Sequence, residues 1–423
     1  MNCSVEKTKI SGTLVCPPNK SYTHRAIFLA TLADGKSVIK NVLYSRDTNA
    51  TISACKSFGA TIIQDSSSLT INGVKKIKSS SEIDASNSGT TIRIASAIAA
   101  LAEGKTMLSG DESLRQRPMQ PILDALELIG AKCSSASGKP PISITGIAGG
   151  GDATILGNLS SQFVSALMII GPLTEKGLNL NIEGDLVSKP YLDATIAAME
   201  KFGVTIKTIK QYKNYIISSQ KYKPTTFTVP SDFSSLAILL SASILLGDNI
   251  TIKTTIDDLP QADRAIFDIL KSLGVIVNVG EDSVTVQSQK LLNGGKFDLS
   301  NTPDLLPPLA ILSLKSSKPI HIFNVKHARY KETDRIAIIA RELKKLGVKT
   351  EEKEDGLILE SQDKLHSADL NSENDHRLFM AFCIAGMYVG NCTVSDPESV
   401  DVSYPKFISD LKSVGGKIEL IKN

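Results

Sequence analysis

The nine residues "CKSFGATII" (Cys55–Ile63) contain the feature that decides the fold. An amphipathic helix reaches its last apolar residue, a glycine follows, and alternating strand residues come next. Glycine adopts the left-handed backbone conformation at helix C-termini at little cost, so Gly59 predicts a helix stop. The pattern returns five more times at intervals of roughly 70 residues. These copies are "ALELIGAKC" (Ala125–Cys133), "AMEKFGVTI" (Ala198–Ile206), "ILKSLGVIV" (Ile269–Val277), "ELKKLGVKT" (Glu342–Thr350) and "DLKSVGGKI" (Asp410–Ile418).

A second kind of helix precedes each of these signatures. It opens with Asn, Ser, Thr or Asp, which are good N-cap residues, and continues with small and apolar residues on every side. Helices without a polar face are buried, so each copy predicts one buried helix. The copies are "NKSYTHRAIF" (Asn19–Phe28), "NSGTTIRIAS" (Asn87–Ser96), "LSSQFVSALM" (Leu159–Met168), "PSDFSSLAIL" (Pro230–Leu239), "TPDLLPPLAI" (Thr302–Ile311) and "NDHRLFMAFC" (Asn374–Cys383).

The repeats divide the chain of 423 residues into two predicted domains. Single cores stop growing at roughly 250–300 residues, and one repeat is too small for a core of its own. Three repeats per domain is therefore the expected division, with crossings near Pro17 and Pro230. We predict an α/β protein with an upper domain of residues 19–230 (repeats 1–3). Residues 1–18 and 231–423 form the lower domain (repeats 4–6), including one N-terminal strand around residues 4–16.

Composition excludes several classes of protein. The formal net charge is only +3 and no basic block occurs, so a nucleic-acid-binding face is not expected. The six cysteines form no C-x-x-C motif and the five histidines no ligand pair, which predicts reduced thiols and no metal site. The N-terminus lacks an apolar signal sequence, and "LAILLSASILLG" (Leu236–Gly247) is too short to span a bilayer. We expect a soluble, cytoplasmic protein without membrane partners.

Polar and charged side chains collect at the starts of the predicted helices. Lys20 and Arg25 lie at the start of the first buried helix, where the helix dipole disfavours cations. Helix N-termini attract anions, so these cations predict a ligand with several negative charges. Ser21 lies between them, and comparable groups at the other helix starts are Asn87, Gly89, Thr90, Arg93, Arg117, Ser160, Ser161, Gln162, Ser188, Tyr191, Asp304, Lys331, Glu332, Arg335, Asp375, His376 and Arg377.

Each of these motifs also has a purely structural explanation. Taken alone, "NSGTTIR" is more often a capped turn, and "KETDR" is more often a solvated helix start with alternating charge. Lys331 and Arg335 are one helical turn apart and repel each other, which suggests an anion between them. Six cations at helix starts that converge favour a binding site over separate structural roles.

The motifs "NKSYTHR", "NSGTTIR", "SSQFVSAL", "LVSKPY", "RYKETDR" and "NDHR" occur in the order found in 5-enolpyruvylshikimate-3-phosphate synthases. The chain resembles this family over nearly its whole length. The resemblance implies a two-domain inside-out α/β barrel of six βαβαββ repeats with buried parallel helices and an active site in the cleft between the domains. It also implies transfer of the enolpyruvyl group of phosphoenolpyruvate to the 5-hydroxyl of shikimate 3-phosphate, with release of phosphate. This is a shikimate-pathway step of chorismate and aromatic amino acid biosynthesis, expected here of a monomer without metal or organic cofactor.

The resemblance further implies roles for residues of this chain. Asp304 would act on the 5-hydroxyl, Glu332 on the methylene carbon of phosphoenolpyruvate, and Lys20 on the departing phosphate. The implied shikimate 3-phosphate contacts are Lys20, Ser21, Arg25, Ser160, Ser161, Gln162, Ser188, Tyr191, Asp304, His327 and Lys331. The implied phosphoenolpyruvate contacts are Lys20, Asn87, Gly89, Arg117, Gln162, Arg335, His376 and Arg377.

Two positions depart from the family pattern, and two alternatives stay open. Well-known bacterial members carry Asn at the position of His327, and at that of Val402 a Lys that contacts phosphoenolpyruvate. One alternative is the sister enolpyruvyl transferase that acts on UDP-N-acetylglucosamine, although its loop cysteine is missing from "GDESLRQRP" (Gly110–Pro118). The other is a non-catalytic protein that binds anionic metabolites. The space beside Gly89 additionally predicts inhibition by glyphosate.

Overall fold

The structure is a computed structural model in which residues 1–421 are described. Its helices are α1 (Lys20–Leu32), α2 (Arg46–Ser57), α3 (Gly89–Ala99), α4 (Glu112–Arg115), α5 (Gln120–Leu128), α6 (Ser161–Ile170), α7 (Pro190–Lys201), α8 (Phe233–Leu246), α9 (Ile266–Ser272), α10 (Leu306–Leu312), α11 (Arg335–Lys345), α12 (His376–Val389) and α13 (Phe407–Ser413).

The strands of the described chain are short. They are β1 (Asn2–Val5), β2 (Ile10–Val15), β3 (Lys36–Lys40), β4 (Thr61–Gln64), β5 (Ser68–Asn72), β6 (Ile83–Asp84), β7 (Lys105–Ser109), β8 (Lys132–Ala136), β9 (Lys139–Thr145), β10 (Gly151–Leu156), β11 (Leu178–Glu183), β12 (Lys207–Lys210), β13 (Asn214–Ile217), β14 (Thr226–Thr228), β15 (Gly247–Lys253), β16 (Ile276–Val279), β17 (Ser283–Gln287), β18 (Gly295–Asp298), β19 (Ile320–Phe323), β20 (Lys349–Lys353), β21 (Gly356–Glu360), β22 (Asp369–Leu370), β23 (Cys392–Ser395) and β24 (Ile418–Ile421).

The six glycines that predicted helix stops all have positive φ angles. The values run from +80° at Gly203 to +106° at Gly59 and Gly130, the backbone region that favours glycine. The other three are Gly274, Gly347 and Gly415. This part of the repeat prediction is confirmed.

Each repeat forms one four-stranded sheet. In the third repeat the order is β10-β11-β13-β12: β10 and β11 are parallel and joined through α6, and α7 leads into the antiparallel pair β12 and β13. This is a βαβαββ unit. The sheets β6-β7-β9-β8 and β18-β19-β21-β20 are built in the same way. The predicted repeat architecture is therefore present in the chain.

Three repeats borrow a strand from a distant part of the chain; in the fourth, β2 runs parallel to β15. The sheet of the first repeat is completed by β14, which runs parallel to β3. In the sixth repeat the described chain has no strand after β24 to pair with it. Instead β1 lies between β23 and β24 and is antiparallel to both. The prediction of one N-terminal strand around residues 4–16 was wrong, because the polar segment "EKTK" (Glu6–Lys9) separates β1 from β2. The latter pairs with β15 in another sheet.

Contacts group the chain into two compact units. Unit I comprises Pro18–Pro230 and Asp258–Gln261; unit II comprises Met1–Pro17, Ser231–Asp257 and the chain from Ala262 onward. The predicted boundaries placed residues 258–261 with the lower domain and residue 18 outside the upper one. The short segment belongs to unit I because Asn19 Nδ2 donates to Gln261 Oε1 (2.7 Å) and the Tyr22 hydroxyl donates to the Pro260 carbonyl (2.9 Å).

The buried helices of each unit pack against one another. In unit I, α3 contacts both α1 and α6; in unit II, α8, α10 and α12 contact each other. Every residue of α8 is buried, as the absence of a polar face predicted. Across residues 1–421 no helix has both the length and the apolar character required to cross a bilayer.

The expectation of a side-chain cap was wrong for the fifth buried helix. Asn19, Ser88, Ser160, Asp232 and Asp375 accept hydrogen bonds from the first turns of α1, α3, α6, α8 and α12. A short 3₁₀ turn (Pro303–Leu305) precedes α10, which has no such cap. Pro307 and Pro308 occupy its second and third positions and have no N–H for a cap to accept from.

Candidate active site

In unit I the first turn of α1 is paired with a carboxylate that sequence reasoning missed. Lys20 Nζ lies 3.2 Å from Asp47 Oδ2, in the first turn of α2. The helix start "SRDTN" is an ordinary capping box and gave no signal of this contact. The charge of Lys20 at the start of α1 is thus paired with a carboxylate of the protein itself.

Arg25 is a buried cation that is held by neutral oxygens. Its Nε donates to Thr195 Oγ1 (2.9 Å), its Nη2 to the Tyr191 carbonyl (3.1 Å), and its Nη1 to the hydroxyl and carbonyl of Ser21. Burial lowers the pKa of Arg25 to about 10. Among residues 1–421 no carboxylate forms an ion pair with it. The structure therefore joins three of the predicted shikimate 3-phosphate contacts in one group.

The start of α3 forms a second group with Arg117. Arg117 Nη2 donates to Asn87 Oδ1 (2.7 Å), and Asn87 Nδ2 donates to Asp111 Oδ2 (2.8 Å). A Cβ added at Gly89 would lie 2.9 Å from Arg93 Nη1 and 3.1 Å from Arg117 Nη1. Gly89 thus lies between two guanidinium groups, and a side chain there would require at least one of them to shift.

Arg93 connects this group to the start of α6. Its Nη1 donates to Gln162 Oε1, its guanidinium carbon lies 4.9 Å from the ring centroid of Phe163, and Gln162 Nε2 donates to Thr90 Oγ1 (3.1 Å). Ser160 caps α6 by accepting from the Gln162 amide (3.3 Å), and Ser161 is the first residue of the helix. Arg93 is one of the polar residues predicted at helix starts, but the sequence predicted no role for it.

Ser188 has an unusual backbone conformation for a residue other than glycine. Its φ is +54° and its carbonyl accepts from the Tyr191 amide (3.1 Å) just before α7 begins. The Tyr191 carbonyl in turn accepts from Arg25, so this turn and the first turn of α1 are fixed to each other. A strained conformation of this kind persists where the surrounding structure imposes it.

In unit II three cations surround Asp304. Its Oδ1 lies 2.8 Å from Arg335 Nη1 and 3.9 Å from Lys331 Nζ, and its Oδ2 lies 3.2 Å from Arg377 Nη2. The anion that the spacing of Lys331 and Arg335 suggested is thus a carboxylate of the protein itself. Burial lowers the pKa of Lys331, an effect that Asp304 opposes.

Arg335 is the centre of this group. Besides Asp304 it contacts Glu332 Oε2 (2.8 Å) and Asp375 Oδ2 (2.7 Å), and its side chain is 1% exposed. Burial acts to lower the pKa of Arg335, but the three carboxylates more than offset it and the pKa is raised. Arg377 Nη2 also donates to Ser234 Oγ (2.8 Å), so the starts of α8 and α12 meet at the same place as Asp304.

The remaining predicted residues of unit II are buried. Burial lowers the pKa of His327 to about 4, with Lys331 acting in the same direction and Asp304 against it. The imidazole is therefore neutral at pH 7. His376 is the first residue of α12, and Val402 is an apolar side chain that is 3% exposed.

The chain is similar to known proteins over nearly its whole length. The sequence model of the EPSP synthase family (3-phosphoshikimate 1-carboxyvinyltransferase) matches residues 5–411 of this chain. The 3-phosphoshikimate 1-carboxyvinyltransferase of Nitrosopumilus maritimus (strain SCM1) is 64% identical over 420 residues, covering 99% of this chain and 100% of the relative. That of Methanosphaera stadtmanae is 39% identical over 425 residues, with 98% and 99% covered.

Solved structures show the same architecture. An EPSP synthase structure from Acinetobacter baumannii superposes with a TM-score of 0.83 at 25% identity and full coverage of both chains. The enolpyruvyl transferase NikO from Streptomyces tendae superposes with a TM-score of 0.77 at 19% identity, covering 99% of this chain and 98% of that one. The latter likeness concerns the fold alone.

The fold and the family match define an enolpyruvyl transferase of the two-unit, six-repeat type. The chain belongs to the EPSP synthase family. It is a transferase of the shikimate pathway that moves the enolpyruvyl group of phosphoenolpyruvate to the 5-hydroxyl of shikimate 3-phosphate and releases phosphate. The family match favours this reaction over UDP-N-acetylglucosamine as acceptor and over a non-catalytic binding protein.

Proposed function

We propose that the predicted residues of both units serve one pair of substrates. In unit I, Ser21, Arg25, Ser160, Ser161, Ser188 and Tyr191 bind shikimate 3-phosphate; Asn87, Gly89 and Arg117 bind phosphoenolpyruvate; Lys20 and Gln162 contact both. In unit II, Asp304, His327 and Lys331 bind shikimate 3-phosphate, and Arg335, His376 and Arg377 bind phosphoenolpyruvate.

One observation carries this proposal for unit I. Arg25 and Arg117 are 2% and 7% exposed, yet neutral oxygens hold both of them and no ion pair to a carboxylate is found among residues 1–421. Buried charges in proteins are normally paired. Guanidinium groups bind phosphate and carboxylate with two parallel hydrogen bonds, so anionic substrates supply the missing partners.

The carboxylates of unit II support a division of the proton transfers. The addition step removes one proton from the 5-hydroxyl and adds one to the methylene carbon of phosphoenolpyruvate, and the elimination step takes one proton from the resulting methyl group as phosphate leaves, which restores the double bond. Asp304, fixed by three cations, accepts the hydroxyl proton in this proposal, and Glu332, fixed by Arg335, delivers a proton to the methylene carbon. Lys20 stabilises the phosphate as it leaves.

Steady-state kinetics of three arginine variants test the binding roles. Arg117→Lys loses the bidentate geometry, and we expect the KM of phosphoenolpyruvate to rise at least tenfold, since a hydrogen bond to a charged group contributes about 1.5–3 kcal/mol. Arg25→Lys should raise the KM of shikimate 3-phosphate instead. Arg115→Lys is the matched control, because Arg115 is exposed and its guanidinium donates to a single hydroxyl, Ser109 Oγ (3.3 Å), in the described part of the chain. Equal effects of the first two variants on both substrates would contradict the assignment.

Phosphate release and ligand binding test the catalytic roles. Asp304→Asn should bind shikimate 3-phosphate by calorimetry but release phosphate at least a hundredfold more slowly. An Asp304→Asn enzyme with unchanged kcat would exclude its role. Wild-type protein should release phosphate only with both substrates present.

The protein is also proposed to act as a monomer in the cytoplasm. Sedimentation velocity at several protein concentrations would test the first statement, and fractionation of the native cells would test the second. A concentration-independent dimer, or recovery with the membrane fraction, would overturn the respective statement.

A further inference from the structure

Four buried polar side chains of unit I form a continuous series of hydrogen bonds between helices. His24 Nδ1 lies 2.7 Å from Thr51 Oγ1, which lies 2.7 Å from Thr91 Oγ1. The Thr91 hydroxyl donates to Ser88 Oγ (2.7 Å). All four residues are 0% exposed. We name them the buried polar chain; it joins α1, α2 and the start of α3, where apolar packing would be the ordinary solution.

The direction of these hydrogen bonds follows from the single proton on each hydroxyl. Thr91 donates to Ser88 Oγ, and its other acceptor within reach is the Asp47 carbonyl at 3.4 Å. Thr91 therefore accepts from Thr51, and Thr51 accepts from His24. The chain requires a hydrogen on His24 Nδ1, which in a neutral imidazole defines the tautomer. Burial together with the charges of Lys20 and Arg25 lowers the pKa of His24 well below its ordinary value, which agrees with the neutral form.

Both ends of the buried polar chain lie next to proposed phosphoenolpyruvate contacts. His24 follows Lys20 by one turn of α1, and Ser88 immediately precedes Gly89. Thr91 also lies beside the backbone of Asp47, whose carboxylate holds Lys20. We propose that the buried polar chain is a positioning device that fixes the start of α3 against Lys20, so that the two sides of the phosphoenolpyruvate site keep their spacing. This inference rests on the site residues proposed above.

The variant Thr51→Val breaks the chain at its centre without changing the size of the side chain. We expect the KM of phosphoenolpyruvate to rise about tenfold, the loss of roughly one well-placed contact. The KM of shikimate 3-phosphate should stay within twofold, because Arg25 also holds α1 to α7 through Thr195 and the Tyr191 carbonyl, contacts that the variant leaves intact. Thr51→Ser restores the hydroxyl and should recover most of the affinity. Thr31→Val is the matched control: its buried hydroxyl donates to the Ile27 carbonyl (2.9 Å) on α1.

Two results would overturn the proposal. One is a Thr51→Val enzyme that melts at a lower temperature but keeps the wild-type KM of phosphoenolpyruvate, which would leave the chain a merely structural role. The other is a ¹⁵N NMR spectrum of the wild-type protein with the His24 hydrogen on Nε2 instead of Nδ1. Failure of the underlying site assignment is recognised separately, because Arg117→Lys would then leave the KM of phosphoenolpyruvate unchanged.

Discussion

Replacing Arg335 by Met should destabilise unit II far more than any surface charge change in the same helix. Arg335 contacts Asp304, Glu332 and Asp375 within 2.8 Å and is 1% exposed. After its removal Asp304 still has two cations, and Asp375 still accepts from two backbone amides at the start of α12. The cost should therefore lie near the lower end of the range for breaking a buried ion pair, about 3 kcal/mol.

Arg341→Met provides a matched control within α11. Arg341 also bridges two carboxylates, Glu342 and Glu373, at 2.6 and 2.8 Å, but its side chain is 47% exposed. Glu342 is buried, but it keeps Lys345 (2.7 Å) and the Asn371 amide (2.9 Å) as partners, so the loss of the half-exposed Arg341 should cost about 1 kcal/mol. The difference between the variants should thus be about 2 kcal/mol.

Hydrogen–deuterium exchange in increasing urea, read peptide by peptide, measures the effect in each unit. Because the two units need not unfold together, a single global transition would not suffice. We expect faster exchange in α10, α11 and α12 of the Arg335→Met protein and no change in α1 or α3. Equal stability of the two variants would refute the reasoning that burial makes these ion pairs strong.

Three further predictions concern single positions. Gly89→Ala places a methyl group against two guanidinium groups and should raise the KM of phosphoenolpyruvate about tenfold while weakening inhibition by glyphosate. His327 has its pKa lowered to about 4, so it contributes stability above pH 6.5 that is lost as the pH falls towards 4. In urea titrations, His327→Asn should reduce that loss by about 3 kcal/mol. Gly59→Ala, at a φ of +106°, should destabilise by about 1–2 kcal/mol in the same titrations, whereas Gly149→Ala, in open space, should change stability little.

The repeat architecture could be predicted because it depends on local rules. A glycine with positive φ follows the second helix of each repeat, and a helix without a polar face must be buried. The helix stop at Gly59 and the burial of α8 can therefore be predicted from the local sequence, without knowing what packs against them. The borrowed strands could not be predicted in this way. The pairing of β1 with β24 joins residues at opposite ends of the chain, and strand patterns specify a buried face but not the neighbour.

In the candidate site, too, local features could be predicted from the sequence and tertiary contacts could not. The cations at helix starts were identified because they oppose the helix dipole. Their partners were not, since Asp47 and Thr195 lie in helices with ordinary sequence patterns and reach Lys20 and Arg25 only through tertiary packing. Asp375 was visible as a helix cap, yet its contact with Arg335 depends on how α11 docks.

The position of β1 has a consequence for biosynthesis. It is synthesised long before its neighbours β23 and β24, so one sheet of unit II cannot close until the chain has been made through β24. Pro18–Pro230 are made as one block and can condense on the nascent polypeptide, with only Asp258–Gln261 to add. Changes beside β1 would therefore affect a sheet that closes later in synthesis than the sheets of unit I.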